Sequence, residues 1–167
     1  IDMHGHSDLV LLSDPRHEAK IMQGVTTEVI GQDGLSYAPL TEDTLPLFRR
    51  AAKGLNGDPA GLAWDWRSVG EYLDRFDRNV AVNVAFLVPH GTVRAAVLGF
   101  DDRRADADQL ARMEEIVATA MQEGARGLST GLTYAPCSYA DTEELVRLCK
   151  VVSQYGGYFA PHMRCYG

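Results

Sequence analysis

Cysteine is scarce in this chain. The three present, Cys137, Cys149 and Cys165, cannot all pair with one another, which excludes a disulfide-built scaffold and suits a reducing cytoplasm. Long apolar runs are absent too. Val80-Ala81-Val82 resumes only after Asn83, as Val84-Ala85-Phe86-Leu87-Val88, too short to cross a bilayer. No Lys/Arg cluster rises above scattered placement, and a formal charge of -7 opposes polyanionic partners, so neither nucleic acid nor membrane is expected. No signal peptide is visible, and the chain is expected to be cytoplasmic. A phosphate-binding glycine loop with its Lys is missing, which disfavours nucleotide triphosphate chemistry. A serine elbow is missing as well: Ser129 lies between Gly127 and Gly131, but no helix is expected before Asp141.

What remains is a globular composition, 46% hydrophobic over 167 residues, enough for the core of one domain. Ile1 to Met3 reads as the tail of a first strand, and Val25 to Ile30 as a second, stopped by Gly31. Between them a short helix is expected after Asp14-Pro15, with Ala19 and Met22 as its buried stripe and Ile21 at the margin. Residues 32–66 are turn-rich, apart from a helix expected over Asp43 to Lys53, and an insertion of this length usually covers something. Ser68 with Glu71 predicts a capped helix carrying Val69, Tyr72, Leu73 and Phe76.

Asn79 to Val88 is the third predicted strand. Asp106 opens a helix through Gln122, in which Leu110, Met113, Val117, Ala120 and Met121 recur at spacings of three and four. Arg126 to Ser129 is a brief fourth strand. Asp141 caps a helix with Leu145, Leu148, Cys149 and Val152 on one face, and Tyr158 to Ala160 is the fifth strand. Five strands alternating with helices predict an α/β protein with a parallel sheet, either doubly wound or part of an eight-stranded barrel. Polar residues favour the barrel: His4, His6, Asp33, His90, Thr130 with Tyr134, and His162 follow the carboxyl ends of different strands, ends that a barrel gathers around one mouth.

His4 and His6 flank Gly5, and alternation along a strand sends both imidazoles to one side, with Asp2 and Asp8 close by. The pair reads as part of a metal site or as ordinary polarity at a strand end. A third imidazole, His162, strengthens the metal reading and suits zinc. Asp33 would add a hard anionic oxygen able to bridge two ions, although Asp33-Gly34 is equally a turn signal. His90, in Pro89-His90-Gly91, is a candidate for orienting substrate or a hydrogen-bonded loop residue. His17 is expected at the surface. Gly131 and Tyr134 suit a pocket wall. Arg164 is a candidate partner for a substrate carboxylate or a salt bridge that packs loops. Trp64 and Trp66 would close the mouth or anchor the insertion.

Taken together, Ile1-Asp2-Met3-His4-Gly5-His6-Ser7-Asp8, Gly24-Val25-Thr26-Thr27, Ser129-Thr130-Gly131-Leu132, Tyr139-Ala140-Asp141-Thr142-Glu143-Glu144-Leu145 and His162-Met163-Arg164 followed by Gly167 resemble the N-acyl-D-amino-acid deacylase (D-aminoacylase) branch of the metal-dependent amidohydrolases. The resemblance implies a TIM-like (β/α)8 barrel, one or two zinc ions per complete subunit, and hydrolysis of an N-acyl-D-amino acid to a carboxylate and a D-amino acid. It makes His4 and His6 the first-strand ligands and His162 the fifth-strand ligand. Gln32-Asp33-Gly34 stands where the better-known deacylases carry Asn-Cys-Gly, with a metal-binding cysteine, so Asp33 replaces a thiolate. No Lys occurs over Ala125 to Gly131, which leaves Asp33 to substitute for the carbamylated-lysine bridge of other binuclear amidohydrolases. The proton-shuttling aspartate would lie beyond residue 167.

A barrel takes about 250 residues, so the expectation is a single incomplete barrel domain holding about the first five strands, inactive by itself, cut from a larger enzyme. The alternatives are a cyclic-amide hydrolase or deaminase of the same superfamily, and a non-catalytic metal-binding fragment.

Overall fold

Caps and glycine turns divide the chain into short helices and strands, in the order α1 (Val10–Ser13), α2 (Glu18–Ile21), β1 (Thr27–Ile30), α3 (Thr44–Asn56), α4 (Val69–Asp74), β2 (Asn83–Phe86), β3 (Val88–Pro89), α5 (His90–Leu98), α6 (Ala107–Gln122), β4 (Gly127–Gly131), α7 (Thr142–Gln154) and β5 (Tyr158–His162). The computed structural model describes residues 1–166, apart from the side chain of Leu55. Ser68 and Asp106 each form a capping box, with Glu71 and Gln109 respectively, and the Asp141 carboxylate accepts the Glu144 N–H. These contacts satisfy amides that the first helical turn leaves without partners.

Every strand pairing is parallel. β1 runs beside β2 from Thr27↔Asn83 to Ile30↔Phe86, β3 beside β4 at Val88↔Leu128, and β4 beside β5 from Gly127↔Tyr158 to Gly131↔His162. Asp2 bridges Glu28 on the free side of β1. The two small sheets meet at Leu87, whose N–H donates to Ile30 O at 3.0 Å, while the Arg126 N–H donates to Phe86 O at 2.8 Å. Elements adjacent in sequence order are therefore adjacent in space, and all their carboxyl ends lie on one side.

The helices cover this sheet with the stripes their periodicity predicts: Leu110, Met113, Val117, Ala120 and Met121 of α6, and Leu148 and Val152 of α7, are buried. Residues 32–66 are held down by aromatic packing. Trp66 stacks 5.2 Å from Tyr72 and 5.3 Å from Trp64, and its Nε1–H donates to Tyr37 O at 2.7 Å. The two tryptophans thus anchor the insertion. No helix among the described residues is long and apolar enough to cross a membrane.

Four sequence expectations are corrected. The first strand is reduced to the single Asp2 bridge. The stripe expected before Gly24 is exposed, because α2 is one turn long and is fastened through His17 and Lys20 instead of through Ala19, Ile21 and Met22. The third strand starts at Asn83 and is split at Leu87, where it changes neighbours. Helix α5 was not expected. His90, Gly91, Thr92, Val93, Arg94, Ala95 and Leu98 are all buried, and a helix enclosed on most sides shows no amphipathic period.

Candidate metal centre

Asp33 is the hub of the site. It follows β1 in a 3-10 turn over Gln32–Gly34 with left-handed dihedrals, φ 56° and ψ 23°, a region that aspartate tolerates better than most residues. Its carboxylate is contacted by three imidazoles: His4 Nε2 at 3.5 Å, His6 Nε2 at 3.2 Å and His162 Nδ1 at 3.5 Å. The donor atoms of His4, His6 and Asp33 lie within 4.8 Å of one another. His162 joins this group through its 3.5 Å contact with Asp33, so each of the three histidines expected as ligands meets the fourth, Asp33.

The turn is fixed from two directions. The Ser129 hydroxyl of β4 accepts the Gly34 N–H at 3.0 Å and donates to Gly31 O at 2.5 Å. Gln32 Nε2 donates to Met3 O at 2.9 Å and Val29 O at 3.2 Å, tying the histidine segment to the end of β1. Gly131 permits the close approach of β4, since a Cβ there would lie 2.3 Å from Asp33 O. In the sequence Ser129 reads as a serine without a nucleophile elbow and as part of the Ser129-Thr130-Gly131-Leu132 segment. The signal available for its structural role was a small hydroxyl within an apolar strand, which once buried must find partners.

The donor set fits a divalent cation. Asp33 Oδ1, the oxygen facing His4 and His162, is buried without a hydrogen-bond partner, which an interior polar atom seldom tolerates. Burial pushes the His6 pKa below its ordinary value, and His4 adds to this while Asp33 opposes it. The neutral ring that results is the form that binds metal. Three imidazoles and one carboxylate are donors that zinc accepts.

The other candidates lie at varied distances from this cluster. Asp2 pairs with Lys20, which together with the His4 N–H holds its carboxyl below the usual range. Asp8 is wholly buried, accepts from the Ser36 hydroxyl and is pushed up to about 7 by burial. Neither belongs to the group of donor atoms around Asp33. Tyr134 is exposed, its ring 5.0 Å from His162. The Arg164 guanidinium donates to Ser138 O at 2.8 Å and Ala140 O at 3.2 Å. It packs a loop, as one alternative held, but through carbonyls.

His90 is not turned toward a ligand. It is fully buried, with Nδ1 2.8 Å from Thr130 Oγ1 and Nε2 2.7 Å from Glu144 Oε1, so both ring nitrogens are engaged inside the protein and the substrate contact is replaced by the hydrogen-bonded alternative. Burial alone would lower its pKa, but Cys137 and the Glu144 carboxylate beside it raise it to about 9. Arg94 pairs with the other Glu144 oxygen. His17 is likewise corrected from surface to interior: it is 4% exposed, and its Nε2 lies 2.8 Å from Glu28 Oε2.

Comparison with known proteins gives this geometry a context. The chain is 39% identical over 165 residues to the D-aminoacylase of Alcaligenes xylosoxydans xylosoxydans, covering 98% of this chain and 33% of that protein. A solved D-aminoacylase structure, described as having a binuclear metal center with one-metal activation and second-metal attenuation, superposes with a TM-score of 0.82 at 36% identity, over 98% of this chain and 34% of that one. An N-acyl-D-glutamate deacylase from Bordetella bronchiseptica, complexed with zinc and a phosphonate mimic of the tetrahedral intermediate, gives 0.80 at 31% identity, over 98% and 33%. The chain thus spans about a third of the relatives it matches. Residues 1–158 match the Amidohydrolase family, and the chain belongs to that family.

Proposed function

We propose that this chain is part of a metal-dependent N-acyl-D-amino-acid deacylase, which hydrolyses the amide of an N-acyl-D-amino acid to release a carboxylate and a D-amino acid. The observation that carries this reading is the meeting of His4, His6 and His162 on the Asp33 carboxylate at 3.2–3.5 Å. It is supported by relatives whose names specify D-aminoacylase and N-acyl-D-aspartate and N-acyl-D-glutamate deacylase. The sequential parallel strand order supports a single incomplete TIM-like barrel domain whose remaining strands lie in a longer polypeptide. Cys137 and Cys149 are free thiols, which supports a reducing, cytoplasmic location.

His4, His6, Asp33 and His162 would hold one or two zinc ions. A bound ion would supply Lewis acidity toward the acyl carbonyl and acidify water. His6, kept neutral by burial, offers a lone pair without first releasing a proton, and Asp33 contributes a negative charge that offsets part of a dication's charge. Tyr134, exposed beside His162, lines the approach of the acyl group. Arg164, already anchored to Ser138 O and Ala140 O, is the candidate partner for the substrate carboxylate through its remaining N–H groups. Protonation of the leaving amine is assigned to an aspartate beyond residue 167.

The test is a full-length assay on N-acyl-D-amino acids, N-acyl-L-amino acids and hydantoins, with and without a chelator. Chelator-sensitive turnover of the D-series is expected. Turnover confined to hydantoins would replace the substrate assignment, and stoichiometric zinc without any turnover would reduce the protein to a metal binder.

A further inference from the structure

A second group of ionisable side chains lies directly beneath the histidine turn and belongs to none of the roles above. Glu28 sits in the middle of β1 and is fully buried. Its Oε1 accepts from the Ser7 hydroxyl at 2.6 Å, with Lys20 Nζ 3.8 Å away, and its Oε2 faces His17 Nε2 at 2.8 Å. Lys20 in turn pairs with Asp2, whose backbone bridges Glu28 itself. A carboxylate buried in a strand is unfavourable unless it is fully paired, and an apolar side chain would serve the sheet better. The pairing here is complete, and every partner comes from residues 2–20.

The carboxylate also fills the space under the turn. A Cβ added at Gly5 would lie 1.9 Å from Glu28 Oε1 and 2.6 Å from its Cδ, so Gly5 rests against the carboxylate itself. The Gly5 N–H donates to Val29 O at 3.1 Å, and the Asp2 N–H to Thr27 O at 2.8 Å. The segment that carries His4 and His6 is thus fastened along its backbone to β1, with Glu28 closing the gap where Gly5 has no side chain and gripping Ser7 just past His6.

Resting on the hydrolase reading above, we propose that Glu28 is a positioning residue for the metal-binding turn: wedged beneath Gly5 and bonded to Ser7 and His17, it aims the His4 and His6 imidazoles at Asp33 without itself touching the ion. Its action runs through the backbone of residues 4–7. Groups hydrogen-bonded directly to a ligand set metal affinity about 10–100-fold, and Glu28, acting through the neighbouring backbone, is expected at the lower end of that range.

The experiment is Co2+ binding by the full-length protein, with the visible d–d bands read for geometry and chelator competition for affinity. Glu28→Ala is expected to weaken Co2+ binding about tenfold or more and to change the bands. Glu28→Gln, which keeps the shape and part of the hydrogen bonding, is expected to restore the band shape with a smaller loss of affinity. A merely structural role would lower the melting temperature while leaving the bands and affinity of the folded protein unchanged, and that result overturns the proposal. If Glu28→Ala does not fold, Glu28→Gln and Ser7→Ala decide in the same way: wild-type affinity and bands in both overturn it. Failure of the unaltered protein to take up Co2+ would instead overturn the metallohydrolase reading itself.

Discussion

His162 Nδ1 lies 3.5 Å from Asp33 Oδ1, so the carboxyl end of β5 and the turn after β1 converge on one side chain. Asp33 is therefore the residue whose loss should most disturb metal binding. Asp33→Ala is expected to weaken zinc binding at least as much as loss of a partner one step removed, about 10–100-fold. Asp33→Cys exchanges a hard oxygen for a soft thiolate and should keep zinc while shifting preference toward cadmium. Metal content after dialysis against equimolar zinc and cadmium checks both. Unchanged zinc affinity in Asp33→Ala would remove this carboxylate from the ligand set.

Ser129 supports the same turn from β4. Ser129→Ala leaves the Gly34 N–H and the Gly31 carbonyl without the partner they share, and an interior amide deprived of its bond costs about 1–3 kcal/mol. Urea denaturation should show a loss of that size, together with weaker zinc binding because Asp33 is released. Ser153→Ala is the comparison. Among the described residues its hydroxyl bonds only to Lys150 O, at an exposed position, and the change should stay within about 0.5 kcal/mol. Equal stabilities for the two variants would show that Ser129 does not brace the turn.

The ligands were legible because each follows a short apolar segment, and strand ends are where a parallel sheet presents polar groups. Helices α6 and α7 were legible because one face of each is apolar and the other wet. The sequence could not show what depends on strand register. Ser129 meets Gly31 and Gly34, and Glu28 meets Ser7 and His17, only after β1, β4 and the histidine segment are aligned. His17 looked like a surface residue because nothing near it in the chain reveals the carboxylate it will face. Helix α5 lacked a polar face, so periodicity carried no signal for it.

Glu144 offers a test of the buried network behind the site. Its two oxygens are taken by His90 and Arg94. Burial raises its pKa, but those two partners outweigh it and hold the carboxyl below its ordinary value of 4.5. A carboxylate depressed in the fold contributes stability above its unfolded pKa, and loses it as pH falls through the folded value. Glu144→Gln leaves Arg94 buried without its counter-charge, a change that typically destabilises by about 3–5 kcal/mol. In urea titrations the gap between wild type and Glu144→Gln should therefore be full at pH 7 and narrow as the pH drops below 4.5, where the unfolded chain takes up this proton before the folded protein does. A gap of constant size across that range would mean that the hydrogen bonds of Glu144, and not its charge, hold His90 and Arg94 in place.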